Sequence, residues 1–398
     1  MKRILWAMAL LLALFCLTGT ALAEEAGVIT GDCTLVTSDG NKKTARMRDG
    51  KYGTRWEQGN RGEGWVEITA PAGERIGGFS VCFNRVQLPW RVMVPAGEDW
   101  ETVFVCNQPF LHESVRLESP AGKIRITAPG GGTKLNICEL TVYGPGELPA
   151  AAQHWEPTCE KADILFLAAH ADDELIFFGG GIPTYDTERG YRVVVAYLVN
   201  CGYKRQHELL DGLWSMGVRH YPVIGPFPNR QSGEFRKAYS QMGGRTKVLH
   251  WVTALVRQYR PEVAVTHAWS GEYGHGQHQA AARALVNAWE KAADPAYDKA
   301  SAETWGTWQM RKLYLHQWQE NPIRMDWNRP LTALGGITGL EAANRAFGFH
   351  ITQQTTGMDV VHTGARYDNA AFGLYATTVG PDLIGGDFME NIPTQDDE

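Results

Sequence analysis

Two short clusters hold much of the chain's reactive chemistry: His170-Ala171-Asp172-Asp173-Glu174 and Glu272-Tyr273-Gly274-His275-Gly276-Gln277-His278. Neutral imidazole and carboxylate groups are good ligands for zinc, and a catalytic zinc site takes three of them and keeps one position open. His170 and Asp173 are three apart, so a turn can point both to one side. Asp172, between them, cannot bind the same ion in the same way, but it can take a proton from a water beside it. One carboxylate then holds the metal and the other acts as base. Acidic residues also suit a helix start. Capping alone accounts for one carboxylate, not for a histidine with three acids in a row. His275 and His278 are again three apart, and Gly274 and Gly276 let the backbone approach closely. A third ligand from this cluster completes the set. Viewed alone, its two histidines also fit a solvated loop.

Buried strands and helices must hold these clusters. Ile164–Ala168 is a continuous apolar run, as expected for a strand covered on both faces. The pattern predicts a helix from Asp173 to Thr187, a second buried strand over Val193–Val199, and a helix over Gln206–Met216 stopped by Gly217. It predicts another helix over Lys247–Tyr259 ended by Pro261, a strand over Val263–Thr266, and helices over Gln279–Lys291 and Glu341–His350. This alternation implies an α/β domain, a Rossmann-like parallel sheet with helices on both faces, over residues 160–390. Ligand sites in such sheets form at the carboxyl ends of the strands. Both clusters sit there.

The 398 residues suggest about two domains, with 44% hydrophobic and 21% charged residues. A formal net charge of -6 gives no basic excess for nucleic acid. Residues 27–147 read as an all-β jelly-roll sandwich of short strands: Trp65–Ile68, Ile76–Phe83, Arg91–Val94, Thr102–Cys106, Lys123–Thr127 and Leu140–Tyr143. Trp90, Trp100 and Phe110 are either core or a sugar-stacking platform on loops. Residues 148–159, with Pro149, three alanines and Pro157, read as a linker.

Lys2 and Arg3, the apolar run Ile4–Leu17 and Ala21-Leu22-Ala23 form a secretory signal over residues 1–23, with cleavage expected after Ala23. Bulky Phe15 before Cys16 argues against a lipoprotein signal, and no later apolar run approaches a membrane span. The expected mature chain is secreted. Six cysteines then remain, without a CxxC pair, and Cys33 and Cys138 flank the first domain as one candidate bridge.

The phrases Asp49 to Trp56, Trp65 to Ile68 and Ile137 to Gly144 resemble the discoidin or coagulation-factor type C family, a galactose-binding-like sandwich. That resemblance implies the fold and a possible glycan ligand. The second domain's resemblance is more specific. His170 to Glu174 resembles the HPDDE motif of the PIG-L/LmbE deacetylase family, with Ala171 in place of proline. Tyr273 to His278 resembles its YGHxDH segment, Arg205 to Leu209 its R-x-x-E-L helix start, and Thr338 to Gln353 its late helix and H-x-S/T-Q sequence. The order and spacing agree across residues 160–390.

The resemblance implies zinc-dependent N-deacetylation of N-acetylglucosamine-type substrates, with one zinc ion. Carried over residue by residue, His170, Asp173 and His278 hold the ion and Asp172 is the general base. His275 is either an electrophile for the oxyanion or a general acid, Tyr273 assists it, and Arg205 matches a substrate-binding position. Gln277 departs from the family's aspartate, which would orient and charge His275. Asn200, at the end of the second strand, is a further candidate for the pocket wall. His267 and Glu174 are expected as supporting residues, Glu208 as an internal pair, and Trp269 as pocket wall or stacking surface. His350 and Gln353 either approach the site or cap the late helix. Competing functions are hydrolysis of another amide or an ester, and glycan binding without catalysis.

Overall fold

The computed structural model describes residues 24–40, 43–59, 62–86, 88–128, 134–355, 357, 359–360 and 364–393. The secretory signal expected over residues 1–23 lies outside them. The chain divides into two compact units at Ala152/Gln153, with Phe110–Glu113 grouped in the second.

The first unit contains strands β1 (Thr34–Thr37), β2 (Trp56–Glu57), β3 (Gly64–Thr69), β4 (Ile76–Arg85), β5 (Trp90–Ala96), β6 (Asp99–Cys106), β7 (His112–Ala121), β8 (Lys123–Ala128) and β9 (Asn136–Tyr143). They form a five-stranded sheet, β1-β3-β8-β5-β6, and a four-stranded sheet, β2-β9-β4-β7. Period-two alternation fixes which face is buried. In β3, Val66 and Ile68 are buried and pair with Ile126 and Ile124 of β8, while Trp65 and Glu67 take the outer face. The inner faces close on one core of Trp56, Phe79, Phe83, Trp90 and their aliphatic neighbours.

The structure decides between the two readings of three aromatic residues and overturns the expected disulfide. Trp90, Trp100 and Phe110 form no platform on loops. Trp90 is core, 1% exposed. Trp100 lies in β6 with the Arg125 guanidinium 4.0 Å from its ring. Phe110 is buried against Tyr221, both in the second unit. Nor does a disulfide join Cys33 to Cys138. The register of β4 on β9 shifts between Cys82↔Glu139 and Phe83↔Ile137, leaving Cys138 in the bulge. Its thiol turns to the Cys82 carbonyl, while Cys33 faces the core.

The second unit carries strands β10 (Ile164–Ala168), β11 (Val193–Asn200), β12 (Val223–Pro228), β13 (Val263–Thr266), β14 (Lys312–His316), β15 (Pro322–Arg324) and β16 (Ala371–Thr377). Its helices are α1 (Asp173–Ile176), α2 (Tyr203–Ser215), α3 (Phe235–Gln241), α4 (Arg245–Tyr259), α5 (Gly276–Lys291), α6 (Lys299–Trp305) and α7 (Gly339–Phe347). The sheet order is β12-β11-β10-β13-β14-β16-β15, parallel through β14, with β16 and β15 antiparallel. Every residue of β10 is buried. Leu165 and Leu167 pack with Val252 and Val256 of α4 and Ala284 and Leu285 of α5. Phe166 points the other way, with its ring 6.0 Å from those of Phe178 and Phe388. Among the described residues no helix is long and apolar enough to cross a membrane.

The expected helix from Asp173 to Thr187 ends after one turn. Gly179 turns at φ 54, where a Cβ would lie 2.8 Å from Trp327 and Asn369. The chain resumes as a wider turn over Pro183–Glu188. The helix expected from Gln279 starts instead at Gly276, because the His275 side chain accepts from the Gln277 amide and caps it. The late helix ends at Phe347 and opens on a capping box between Thr338 and Glu341.

Candidate metal centre

β10 pairs with β13 in parallel, Leu167 opposite Thr266, so their carboxyl ends lie side by side. The loop after β10 delivers His170 and Asp173. The loop after β13 and the first turn of α5 deliver Glu272 to His278. His170 Nδ1 lies 3.0 Å from Asp173 Oδ2 and 3.2 Å from His278 Nε2, and His278 Nε2 lies 3.3 Å from the same Asp173 oxygen. Ligands at ~2.0–2.1 Å around a tetrahedral zinc stand about 3.3 Å apart. The three atoms thus form one face of such a tetrahedron, and the donor set fits the ion. His275 lies close by, with a ring nitrogen within 4.8 Å of donor atoms on His170 and His278.

The supporting contacts settle which ring nitrogen faces inward. His170 Nε2 donates to the Gln277 side-chain oxygen at 2.9 Å, leaving Nδ1 for the ion. His278 Nδ1 donates to Glu272 at 2.8 Å, leaving Nε2. Glu272 is buried and also accepts from His267 Nδ1 at 2.8 Å, His316 Nδ1 at 2.6 Å and the Ala268 amide at 3.0 Å. Asp173, His267 and His278 also cluster within 4.8 Å. The Ala169 amide, however, donates to His267 Nε2 at 2.9 Å, which occupies that lone pair. His267 is therefore a supporting residue.

Glu272 and His316 were not singled out from the sequence. The one signal for Glu272 was its place in the second cluster; its partners come from β13, α5 and β14, which only the sheet brings together. Glu272→Gln is expected to weaken zinc binding by about 10- to 100-fold, a typical effect for a group that orients a ligand. Competition with a coloured chelator would measure it, and an unchanged affinity would reduce Glu272 to packing.

Charge in the metal-free site follows from the same geometry. Burial opposes a charged His278, but Asp173 and Glu272 outweigh it and raise its pKa to about 10. Burial likewise opposes ionised Asp173, yet His278 and His170 hold it well below the usual carboxylate range. Burial keeps His170 low despite Asp173. The metal-free chain thus carries a proton on His278 at neutral pH, which zinc must displace. Zinc binding at pH 7 should release about one proton, and affinity should fall about tenfold per unit as pH drops below about 10, the His278 value. Calorimetry in buffers of different ionisation enthalpy would read the proton directly; no buffer dependence would contradict the assignment.

Asp172 stands at the helix start with φ 107, a left-handed backbone uncommon outside glycine and costly to hold. Its Oδ1 lies 3.0 Å from Arg205, which also donates to the Ala171 carbonyl. Burial raises Asp172 to about 7, with Arg205 pulling the other way. Glu174 accepts from the Asp172 amide at 2.9 Å, and burial raises it to about 8. His275 Nδ1 accepts from the Gln277 amide at 3.2 Å, so its hydrogen sits on Nε2. Burial, then His170 and His278, lower it to about 3, so it stays neutral. Tyr273 is half exposed, with its ring 5.3 Å from that of His278.

The remaining candidates lie further out. Asn200 accepts from the Gly202 amide and the Gln206 side chain, each at 2.8 Å. Glu208 holds the Thr352 amide at 3.0 Å, an internal pair as expected. The late helix ends before His350, which is buried where a Cβ on Gly212 of α2 would meet its ring. Gln353 donates to Thr352. Trp269 is 38% exposed and stacks on Tyr375.

A buried histidine–carboxylate cluster that could hold a metal ion thus lies at the carboxyl edge of a largely parallel sheet. Residues 165–289 match the family described as PIG-L: GlcNAc-PI de-N-acetylase, and the chain carries a PIG-L domain there. Among curated proteins it is 29% identical over 180 residues to 1D-myo-inositol 2-acetamido-2-deoxy-alpha-D-glucopyranoside deacetylase 1 of Frankia alni, covering 37% of this chain and 59% of that one. It is 25% identical over 279 residues to the enzyme of the same name from Catenulispora acidiphila, covering 63% of this chain and 77% of the relative. The matched segment thus spans about three fifths of the first relative's length.

Among solved structures, a conserved protein from Thermus thermophilus matches at 18% identity and TM-score 0.36, over 49% of this chain and 81% of that one. The family 32 carbohydrate-binding module of Clostridium perfringens NanJ, solved with galactose, matches at 16% identity and TM-score 0.26, over 30% of this chain and 98% of that one.

Proposed function

We propose that the chain is an exported, zinc-dependent N-deacetylase that removes acetyl groups from N-acetylated sugars of the N-acetylglucosamine type. The observation that carries the reading is the triangle of His170 Nδ1, Asp173 Oδ2 and His278 Nε2, with edges of 3.0 to 3.3 Å, beside the strained, buried Asp172. The named activity of the Frankia and Catenulispora relatives supports the choice of substrate class. The secretory pattern of residues 1–23 in the sequence supports export as part of the reading.

A zinc ion held by those three atoms would polarise the amide carbonyl and acidify a neighbouring water. Asp172 accepts the proton of the attacking water. Burial disfavours its charged form and the neighbouring Arg205 favours it, and a carboxylate so held beside the donor triangle is placed for a general base. Arg205 thereby serves to position Asp172. Neutral His275 offers its Nε2 hydrogen to the carbonyl oxygen as charge develops, as an electrophile rather than as an imidazolium acid. Tyr273 adds a second donor at the open side. Asp172 then returns its proton to the nitrogen, and acetate and a free amine separate.

The test is acetate release from a panel of N-acetylated glycans by the purified chain, before and after metal stripping and zinc return. Zinc-restored release supports the reading. Release of another acid or alcohol from amide or ester analogues, without acetate from any sugar, would replace it.

A further inference from the structure

A cavity of about 630 Å³, within the size range of small-ligand sites, opens beside the loop after β13. Its walls include Trp269 of that loop, Phe235 and Arg236 of α3, Gly244 and Arg245 at the start of α4, and Arg283 of α5. No carboxylate lines it. Arg283 is clamped between two aromatic faces, 4.2 Å from the rings of both Phe235 and Trp269, and donates to the Trp269 carbonyl. Arg245 donates to the Asn287 side chain at 3.1 Å. Arg236 lies 5.6 Å from the Phe235 ring. None of these partners is an acid.

Burial lowers Arg283 from its ordinary value, and no carboxylate restores it. The 15-residue α4 begins at Gly244 without a side-chain cap, so this wall also presents the positive end of a helix. Three guanidinium groups with no acid, in a chain of net charge -6, form a local field that selects for negative charge. Planar guanidinium groups pair well with phosphate and carboxylate oxygens.

We propose that this cavity is an oxyanion-binding site that holds the phosphate or carboxylate of an anionic acetylated glycan. Trp269 in the cavity wall lies on the same loop after β13 as Tyr273 and His275 of the metal centre. The substrate part of the proposal rests on the deacetylase reading; the binding of an oxyanion does not.

The experiment has two arms on the zinc-loaded full chain. In the first, inorganic pyrophosphate is titrated calorimetrically at low ionic strength into wild type and into the Arg236→Gln/Arg245→Gln double variant. Both side chains are exposed, so the variant should keep its zinc and its melting temperature. The expected result is saturable one-to-one binding, weakened at least about tenfold in the variant. No saturable binding to wild type, or equal binding to both, overturns the site. Should the double variant fold poorly, Arg236→Glu alone decides the same question by repulsion.

In the second arm, KM is compared for N-acetylglucosamine 1-phosphate, N-acetylmuramate and neutral diacetylchitobiose. A rise in KM for a charged sugar alone, with kcat for the neutral sugar unchanged, supports the substrate part, and the sugar affected tells phosphate from carboxylate. Equal changes for all three sugars, or turnover of the neutral sugar only, overturn it. Acetate from none of them removes the deacetylase reading and leaves the first arm to decide the cavity.

Discussion

Acetate release by the Asp172→Asn chain should fall by about 10²- to 10⁴-fold while one zinc remains bound. The substitution isolates chemistry from structure. Asparagine has the same shape, and with aspartate it is among the few residues that accept a left-handed backbone, here φ 107. None of the three donor atoms belongs to residue 172, so the metal geometry survives. What disappears is the carboxylate that takes the water's proton. Turnover and metal content would be measured on one preparation. Turnover within a few-fold of wild type would remove Asp172 from the base role.

His278→Ala should lose both metal and activity. His278 is buried and supplies one of the three donor atoms; without it two remain, 3.0 Å apart. Two protein ligands fall short of the three that catalytic zinc sites use. The change also takes one of three imidazole partners from Glu272 and opens a hole in a packed region. Metal analysis after dialysis should find almost no zinc, and turnover should drop to background. A thermal melt would confirm that the chain still folds. Stoichiometric zinc in a folded variant would overturn the ligand assignment.

The route from sequence to this site was short where burial wrote a plain pattern. β10 and β11 are apolar without alternation because both of their faces are covered. The carboxyl end of β10 therefore located the first cluster, as that of β13 located the second. Other elements left weaker traces. β12 holds Gly225 and Pro226, residues poor in strands, and a Cβ on Gly225 would lie 2.1 Å from the Leu198 carbonyl oxygen. The face of Trp90 could not be read locally, since the register of β5 on β6 shifts just beyond it, between Val92 and Met93. In the site itself, the three candidate donors share two short clusters and so stand out in the sequence. The network around Glu272 does not, because His316 joins it only through the pairing of β14 with β13. Arg205 was legible as a site residue, but its aim at Asp172 depends on α2 packing beside the β10 loop.

The contact between His170 and Gln277 has a further consequence. A carboxylate in that place would draw on the Nε2 hydrogen and push electron density through the ring, making Nδ1 a stronger donor. The amide oxygen found there, 2.9 Å away, carries no charge and does so less. His170 is thus a milder base, and an ion in this site keeps more of its own positive charge for the substrate carbonyl. The same contact would loosen the hold on an ion bound there, exchanging grip for electrophilic strength.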